Sequence, residues 1–288
     1  MNAPHHLPLQ APERSIGAIL VDAGRIAPED AERIFRVQRE RGLRFGDAAR
    51  ELRLLSEDDI AYALARQFDY PYVVRGTSAI SETVVAAYQP FSPEVEALRG
   101  LRTQLLLRCT GQLATRRRLA VVSPAGGDGR SWVAANLAVV FSQLGERTLL
   151  IDADLRKPVQ HTLFGLDNAT GLSSVLAGRS GNEAIRRIDG LLSLSVLPAG
   201  PQAPNPQELL SRPPFAALLE RLGAQFDVVI LDTPAAACGA DAELIAARAG
   251  AAFMLARQDA SSARDLARFG ERLAGASVAL VGAVLNAH

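Results

Sequence analysis

The segment RRRLAVVSPAGGDGRSWVAANLAVVFSQLG, residues 116–145, limits the possible folds more than any other part of the 288-residue chain. Its first seven residues read as a buried strand preceded by basic side chains, a loop holding Gly126, Gly127 and Gly129 follows, and a helix then runs to Gly145. Strand, glycine loop and helix in that order make a phosphate site. Glycines let backbone N–H groups approach an anion, and the helix N-terminus favours its charge. The predicted nucleotide-binding residues are Gly126, Gly127, Asp128, Gly129, Arg130, Ser131 and Trp132, with the Ser131 hydroxyl placed for Mg²⁺. Arg130 stands where such loops normally carry lysine.

Two further apolar strands end in carboxylates. TLLIDADLR (148–156) closes on Asp152, Asp154 and Arg156, and FDVVILDTPA (226–235) reaches Asp232. Ligands of open parallel sheets lie beyond the strand C-termini, and Mg²⁺ favours one or two carboxylates together with water and phosphate oxygens. A single such aspartate is as readily a helix cap; three behind apolar strands, below a glycine loop, point to metal and phosphate. The expected fold is α/β, a P-loop NTPase with a mostly parallel sheet flanked by helices and preceded by a small mainly helical domain.

That front domain is a tandem repeat. SIGAILVDAGRIAPEDAERIFRVQ (15–38) aligns with RFGDAARELRLLSEDDIAYALARQ (44–67), pairing Gly17 with Gly46, Ile26 with Leu55, Phe35 with Leu64 and Gln38 with Gln67. Each unit reads as short helix, turn, second helix, with Pro28 in a first turn and Ser56 and Asp59 as a capping box. Periodicity by itself predicts only a helical core. The whole pattern resembles the MshEN domains found ahead of secretion and pilus ATPases, and that resemblance implies cyclic di-GMP as ligand, with Arg14, Gly17, Gln38, Arg44, Gly46 and Gln67 as candidate contacts. The family unit begins Arg-Leu-Gly and has a central glycine. Here Ser15 takes the first arginine slot, with Arg14 one place early, and Arg53 takes the second central glycine. Arginine can pair with guanine in a fork and stack on it, so a half-site without it should bind more weakly.

Residues 69–93 have no sustained period and are broken by Pro71, Gly76, Pro90 and Pro93, which predicts an interdomain connection. The expected organisation is a disordered tail over 1–13, the tandem-motif domain over 14–72, a linker over 73–93 and the ATPase domain over 94–288. In EVEALRGLRTQLLLR the residues Glu96, Arg99 and Arg102 stand three apart, on one helical face.

The 31 basic and 31 acidic residues cancel, so no global attraction to nucleic acid or anionic lipid is implied. Two isolated cysteines, Cys109 and Cys238, suit a reducing compartment and predict structural roles. The N-terminus does not read as a secretory signal. The apolar stretch 244–256 is short for a bilayer span and holds Arg248.

Taken with RKPVQHTLFGL, GLSSVLAG, LPAGPQAPNPQELLS and ILDTPAAACGADA, the second half resembles the bacterial tyrosine kinases of exopolysaccharide and capsule synthesis. With the MshEN-like front it is similar to the chain-length-determinant kinases of the EpsG type. The resemblance implies ATP and Mg²⁺ as cofactors, Asp152 and Asp154 organising metal and attacking hydroxyl, Asp232 completing the metal shell, and Arg130 on the β- and γ-phosphates. It implies a homo-oligomer joined through Glu96, Arg99 and Arg102, a membrane polysaccharide co-polymerase (Wzz-like) partner, no nucleic acid, and a cytoplasmic place at the inner membrane through that partner.

Two departures bear on catalysis. Arginine is a longer planar fork than lysine, so nucleotide binding survives the exchange more easily than turnover. These kinases also phosphorylate a C-terminal tyrosine cluster, whereas the tyrosines here are Tyr62, Tyr70, Tyr72 and Tyr88. The alternatives are a nucleotide-dependent switch that transfers no phosphate and a ParA- or MinD-like positioning ATPase. Ala125, where those ATPases carry an additional lysine, disfavours the last.

Overall fold

A computed structural model describes residues 15–68, 70–71, 73–109 and 117–287. The chain forms two units, 1–72 and 73–288. The expected tail over 1–13, Arg14 and Tyr72 lie outside the described residues.

In the first unit, α1 (Ile16–Asp22) and α2 (Pro28–Arg41) form one repeat, and α3 (Phe45–Glu51) and α4 (Glu57–Gln67) the other. Pro28 opens α2, and the Ser56 and Asp59 capping box holds the start of α4. Ile19, Leu20, Ile34, Phe45, Ala48 and Ala63 fill the core, with the Phe35 and Phe45 ring centroids 5.2 Å apart. At the two central turns Gly24 has φ 65° and Arg53 φ 55°. Both repeats thus turn through the left-handed region, where glycine is unstrained and a side chain costs about 1–2 kcal/mol.

The second unit is built on a seven-stranded sheet of order β3-β4-β2-β5-β1-β6-β7. The strands are β1 (Arg117–Val122), β2 (Thr148–Asp152), β3 (Arg186–Ile188), β4 (Leu191–Leu197), β5 (Val228–Asp232), β6 (Ala251–Arg257) and β7 (Ala279–Asn286). Only β3 runs antiparallel to its neighbour. The near-continuous apolar runs of the central strands follow from burial on both faces. Side chains alternate between the faces: Leu119, Val121, Leu150, Val228 and Ile230 join one core, Ala120, Val122, Leu149, Ile151 and Val229 the other.

The first face is covered by α5 (Val85–Tyr88), α6 (Pro93–Arg108) and α7 (Arg130–Ser142), the helix that follows the glycine loop. Residues 73–93, expected as a linker, belong to this unit: Val73, Ile80, Val84, Ala86, Ala87 and Tyr88 are buried in its core. The reason lies in α7, whose residues from Val133 to Ser142 are all buried. Its polar Asn136 needs a partner there and finds the Ala86 N–H at 2.9 Å, while the Gln143 amide donates to the Ala86 carbonyl at 2.8 Å. Tyr88 donates from its hydroxyl to the Ile80 carbonyl at 2.5 Å, which seals the segment.

Near the strand ends α8 (Gln160–Leu163) lies on the first face as well, with Leu163 and Phe164 against that core, and the other face carries α9 (Leu172–Leu176), α10 (Pro206–Ser211), α11 (Pro213–Gln225), α12 (Asp241–Ala249) and α13 (Ala263–Gly275). Among the described residues no helix is long and apolar enough to cross a membrane.

Candidate nucleotide site

The glycine loop leaves β1 and enters α7 through Gly127 at φ 84° and Gly129 at φ 93°. Gly129 is required twice over, because a Cβ there would lie 2.3 Å from the Asn286 amide nitrogen as well as in the left-handed region. Asp128 is buried within the loop and holds its shape, accepting from the Ala125 N–H at 3.3 Å and from the Ser261 hydroxyl at 3.0 Å. The Asn286 amide donates to the Asp128 carbonyl at 3.1 Å. Loop, β7 end and the turn after β6 are thereby tied together.

Arg130 begins α7 and folds back over the loop. Its Nε donates to the Thr233 carbonyl at 2.9 Å, and one terminal nitrogen donates to the Ala125 carbonyl at 2.6 Å and to the Ser123 hydroxyl. A guanidinium has the donors to bind the loop and the segment after β5 together; a lysine ammonium has fewer and no fork. Trp132 packs half-buried against the core of the first face.

Asp152 and Asp232 end adjacent parallel strands and stand opposite each other in register. Each is fully buried. Asp152 Oδ2 accepts from the backbone N–H groups of Val159 and Gln160 at 3.0 and 2.9 Å. Asp232 Oδ2 accepts from the Gln160 side-chain amide at 2.7 Å. The second oxygen of each carboxylate, Oδ1, is buried with no hydrogen-bonding partner. Burial, with Asp232 beside it, pushes the Asp152 carboxyl well above its ordinary range. Burial pushes Asp232 up to about 6, tempered by Gln160, the nearby Ser131 hydroxyl and the Arg130 charge. Two buried carboxylates that resist ionising side by side, each with an orphaned oxygen, fit a divalent cation.

Asp154 is placed differently. Its Oδ1 accepts from the Arg156 and Lys157 N–H groups at 3.1 and 2.9 Å, the local turn role of a cap, while its charge still bears on Asp152. Among the described residues no three His, Cys, Asp or Glu side chains are grouped as metal ligands. Asp152, Asp232 and the Ser131 hydroxyl beside Asp232 could hold a cation, and a set of that kind suits Mg²⁺ in company with phosphate and water.

Gln160 is the residue that sequence reading missed. It is fully buried and touches all three motifs: its N–H meets Asp152, and its side-chain amide meets Asp232 and, at 3.1 Å, the Ser131 carbonyl. A lone glutamine in RKPVQHTLFGL gives no periodic or spacing signal. Beside the site, Arg156 holds buried Asp241 in a fork at 2.6 and 3.2 Å and borders a cavity of about 440 Å³ with Leu155, Gln202, Ala203, Pro204 and Pro206.

On α6 the Glu96 carboxylate is 73% exposed and pairs with Arg99 at 3.0 Å, Arg99 also donates to the Pro90 carbonyl, and Arg102 donates to the Val140 carbonyl at 2.8 Å. Both arginines thus hold α6 to its own unit. In the front unit Gly17 and Gly46 occupy the second positions of α1 and α3, Arg44 is the exposed N-cap of α3, and Gln38 and Gln67 lie in α2 and at the end of α4. Cys109 is buried as expected; Cys238 is exposed, because the loop after β5 brings it to the surface beside Arg156.

Comparison with known proteins agrees with this geometry. Residues 119–287 match the family model described as the CobQ/CobB/MinD/ParA nucleotide binding domain. The chain is 37% identical over 209 residues to the tyrosine-protein kinase YwqD of Bacillus subtilis, an alignment that covers 73% of this chain and 87% of YwqD. It belongs to the bacterial tyrosine kinase family. The Escherichia coli tyrosine kinase Etk is 34% identical over 70% of this chain but only 28% of its own length. Its solved kinase domain superposes with a TM-score of 0.67 at 33% identity, covering 70% of this chain and 79% of that one. The septum site-determining protein MinD of Pyrococcus horikoshii, solved with Mg-ADP, has a TM-score of 0.53 at 25% identity and covers 59% of this chain and 70% of that one. The matched family model lies within the second unit, and the chain spans little more than a quarter of the longer relatives such as Etk.

Proposed function

We propose that this kinase-family chain binds ATP with Mg²⁺ at the glycine loop and transfers phosphate to tyrosine, acting in exopolysaccharide chain-length control or export with a membrane co-polymerase of the Wzz type. The observation that carries the reading is the pair Asp152 and Asp232, buried side by side at the sheet's carboxyl edge with one orphaned oxygen each. Bound there, Mg²⁺ would neutralise phosphate charge; Asp152, Asp232 and Ser131 would hold it. The loop N–H groups would cradle the phosphates, and Arg130, swung from its carbonyl partners, would reach the terminal ones. Phosphoryl transfer needs positioning and charge neutralisation more than covalent chemistry, which suits this inventory. Asp154 would orient the acceptor hydroxyl, entering from the cavity beside Arg156. Tyr88 is buried with its hydroxyl engaged, and the acceptor would come from another protein or from the front half of a neighbouring copy. The exposed Glu96 would face a second copy in a homo-oligomer, and the front repeats would take cyclic di-GMP through Gly17, Arg44, Gly46 and the glutamines.

One observation favours a second reading, a nucleotide-dependent switch without transfer: the Arg130 guanidinium is already committed to three oxygens of the loop and its neighbour. ATP turnover and phosphotyrosine formation, measured with the partner's cytoplasmic segment on wild type, Arg130→Lys and Asp152→Ala, separate the two. Wild-type turnover well above Asp152→Ala supports the kinase. Nucleotide binding with turnover at the Asp152→Ala background leaves the switch.

A further inference from the structure

Three oxygens in the site are buried and have no hydrogen-bonding partner: Asp152 Oδ1, Asp232 Oδ1 and Gln160 Oε1. The first two belong to the carboxylates already described. The third is unexpected, because an amide oxygen forms hydrogen bonds wherever it can, and leaving it unmade inside a protein costs about 1–3 kcal/mol. The amide cannot be turned round to relieve this. Its nitrogen faces two acceptors, Asp232 Oδ2 at 2.7 Å and the Ser131 carbonyl at 3.1 Å, and only an NH₂ group can satisfy both. The oxygen is thus fixed in place among acceptors, and what it needs is a donor.

Among the described residues none supplies one. A hydrated divalent cation does, since Mg²⁺ dehydrates reluctantly and keeps several waters whose protons seek acceptors. Resting on the Mg²⁺–nucleotide reading above, we propose that Gln160 is a positioning residue for the metal, receiving a metal-bound water on Oε1 while its amide nitrogen fixes Asp232 and the first turn of α7. Partners of this kind behind the direct ligands commonly set metal affinity by ten- to a hundredfold. The backbone N–H of the same residue fixes Asp152 at 2.9 Å, so one residue holds both carboxylates with their free oxygens uncommitted. Its complete burial, rare for glutamine, follows from that task.

The test measures the Mg²⁺ concentration that half-saturates binding of a fluorescent ADP analogue to the full chain, with the analogue's affinity in EDTA measured alongside. Gln160→Met keeps side-chain length and removes both polar ends; Gln160→Glu keeps an acceptor oxygen and adds charge. The expected result is a half-saturating Mg²⁺ about tenfold higher for Gln160→Met, with its EDTA affinity within about twofold of wild type, and no higher than wild type for Gln160→Glu, whose added charge attracts the cation in place of the lost NH₂ contacts. A residue that merely packs would weaken binding in both variants, with and without metal. An unchanged Mg²⁺ midpoint in Gln160→Met overturns the proposal and leaves the nucleotide reading standing, as does a weakened one in Gln160→Glu should the methionine variant not fold. Wild-type binding that ignores Mg²⁺ overturns both.

Discussion

The carboxyl edge of the sheet and the front helical repeats make opposite use of their motifs. At the sheet edge, three segments far apart in sequence end at one place because parallel strands deliver all their C-termini to the same side, and each segment's chemistry is complete when it arrives. The repeats are two copies of one pattern, and their equivalence is imperfect at the positions that carry it. Gly24 and Arg53 make the same left-handed turn with different residues, and Gly17 and Gly46 open equivalent helices with different room around them. Convergence of dissimilar parts tolerates little change; repetition tolerates a good deal.

The largest effects should therefore fall at the sheet edge. Replacing Asp152 by alanine removes a metal-side carboxylate and is expected to cut ATP turnover at least a hundredfold, read by steady-state phosphate release. Turnover within tenfold of wild type would make the two regions alike in tolerance.

Next comes the pH response of the metal-free protein. Asp232 is raised from an ordinary 3.8 to about 6, so the folded state holds its proton more tightly than the unfolded chain. The stabilisation is present below 3.8 and is lost as pH rises through about 6, by no more than about 3 kcal/mol. Asp152, shifted the same way, steepens the slope. Melting temperatures in EDTA should fall across that window, and Mg²⁺ with nucleotide should flatten the fall; Asp232→Asn should make it shallower and leave the part that Asp152 contributes.

In the repeats the expected changes are smaller. A Cβ on Gly17 would lie 2.8 Å from the Phe35 ring, whereas on Gly46 the Ile60 side chain is met at 3.3 Å. Gly17→Ala should cost about 1–3 kcal/mol by overpacking and Gly46→Ala under about 1, compared by denaturant unfolding of the full chain with the front unit's transition followed separately. The smallest effect runs the other way. Arg53→Gly relieves a side chain at φ 55° and should stabilise by up to about 1 kcal/mol after the entropy that glycine adds to the unfolded chain, while Gly24→Arg should destabilise by a similar amount.

The same contrast explains what could be read from sequence. The β-strands ending in Asp152 and Asp232, the glycine loop, and the paired helices of each repeat follow from local rules: apolar runs, left-handed glycines, a capping box. Residues 73–93 did not, because Val73, Ile80, Val84 and Tyr88 repeat with no period and their order comes from a tertiary partner. The clue lies at α7: Asn136 within this helix, buried from Val133 to Ser142, and Gln143 at its C-cap are buried polar residues that imply a backbone against them. Gln160 was hidden for the same reason, since its role depends on contacts to residues 29 and 72 positions away. Arg130 was legible as a departure but not as a latch. The sequence has a single lysine, Lys157, and arginine takes the basic positions elsewhere, the loop included.

On the proposed reading, Asp152, Asp232 and the loop form a working Mg²⁺–nucleotide site although Arg130 replaces lysine. Calorimetric titration of the full chain with ADP, in Mg²⁺ and in EDTA, with Asp232→Ala as control, tests it most directly. Wild type should bind saturably and weaken at least tenfold in EDTA, and Asp232→Ala should show no difference between the two conditions. Wild-type binding of equal strength with and without Mg²⁺, or no binding at all, would contradict it.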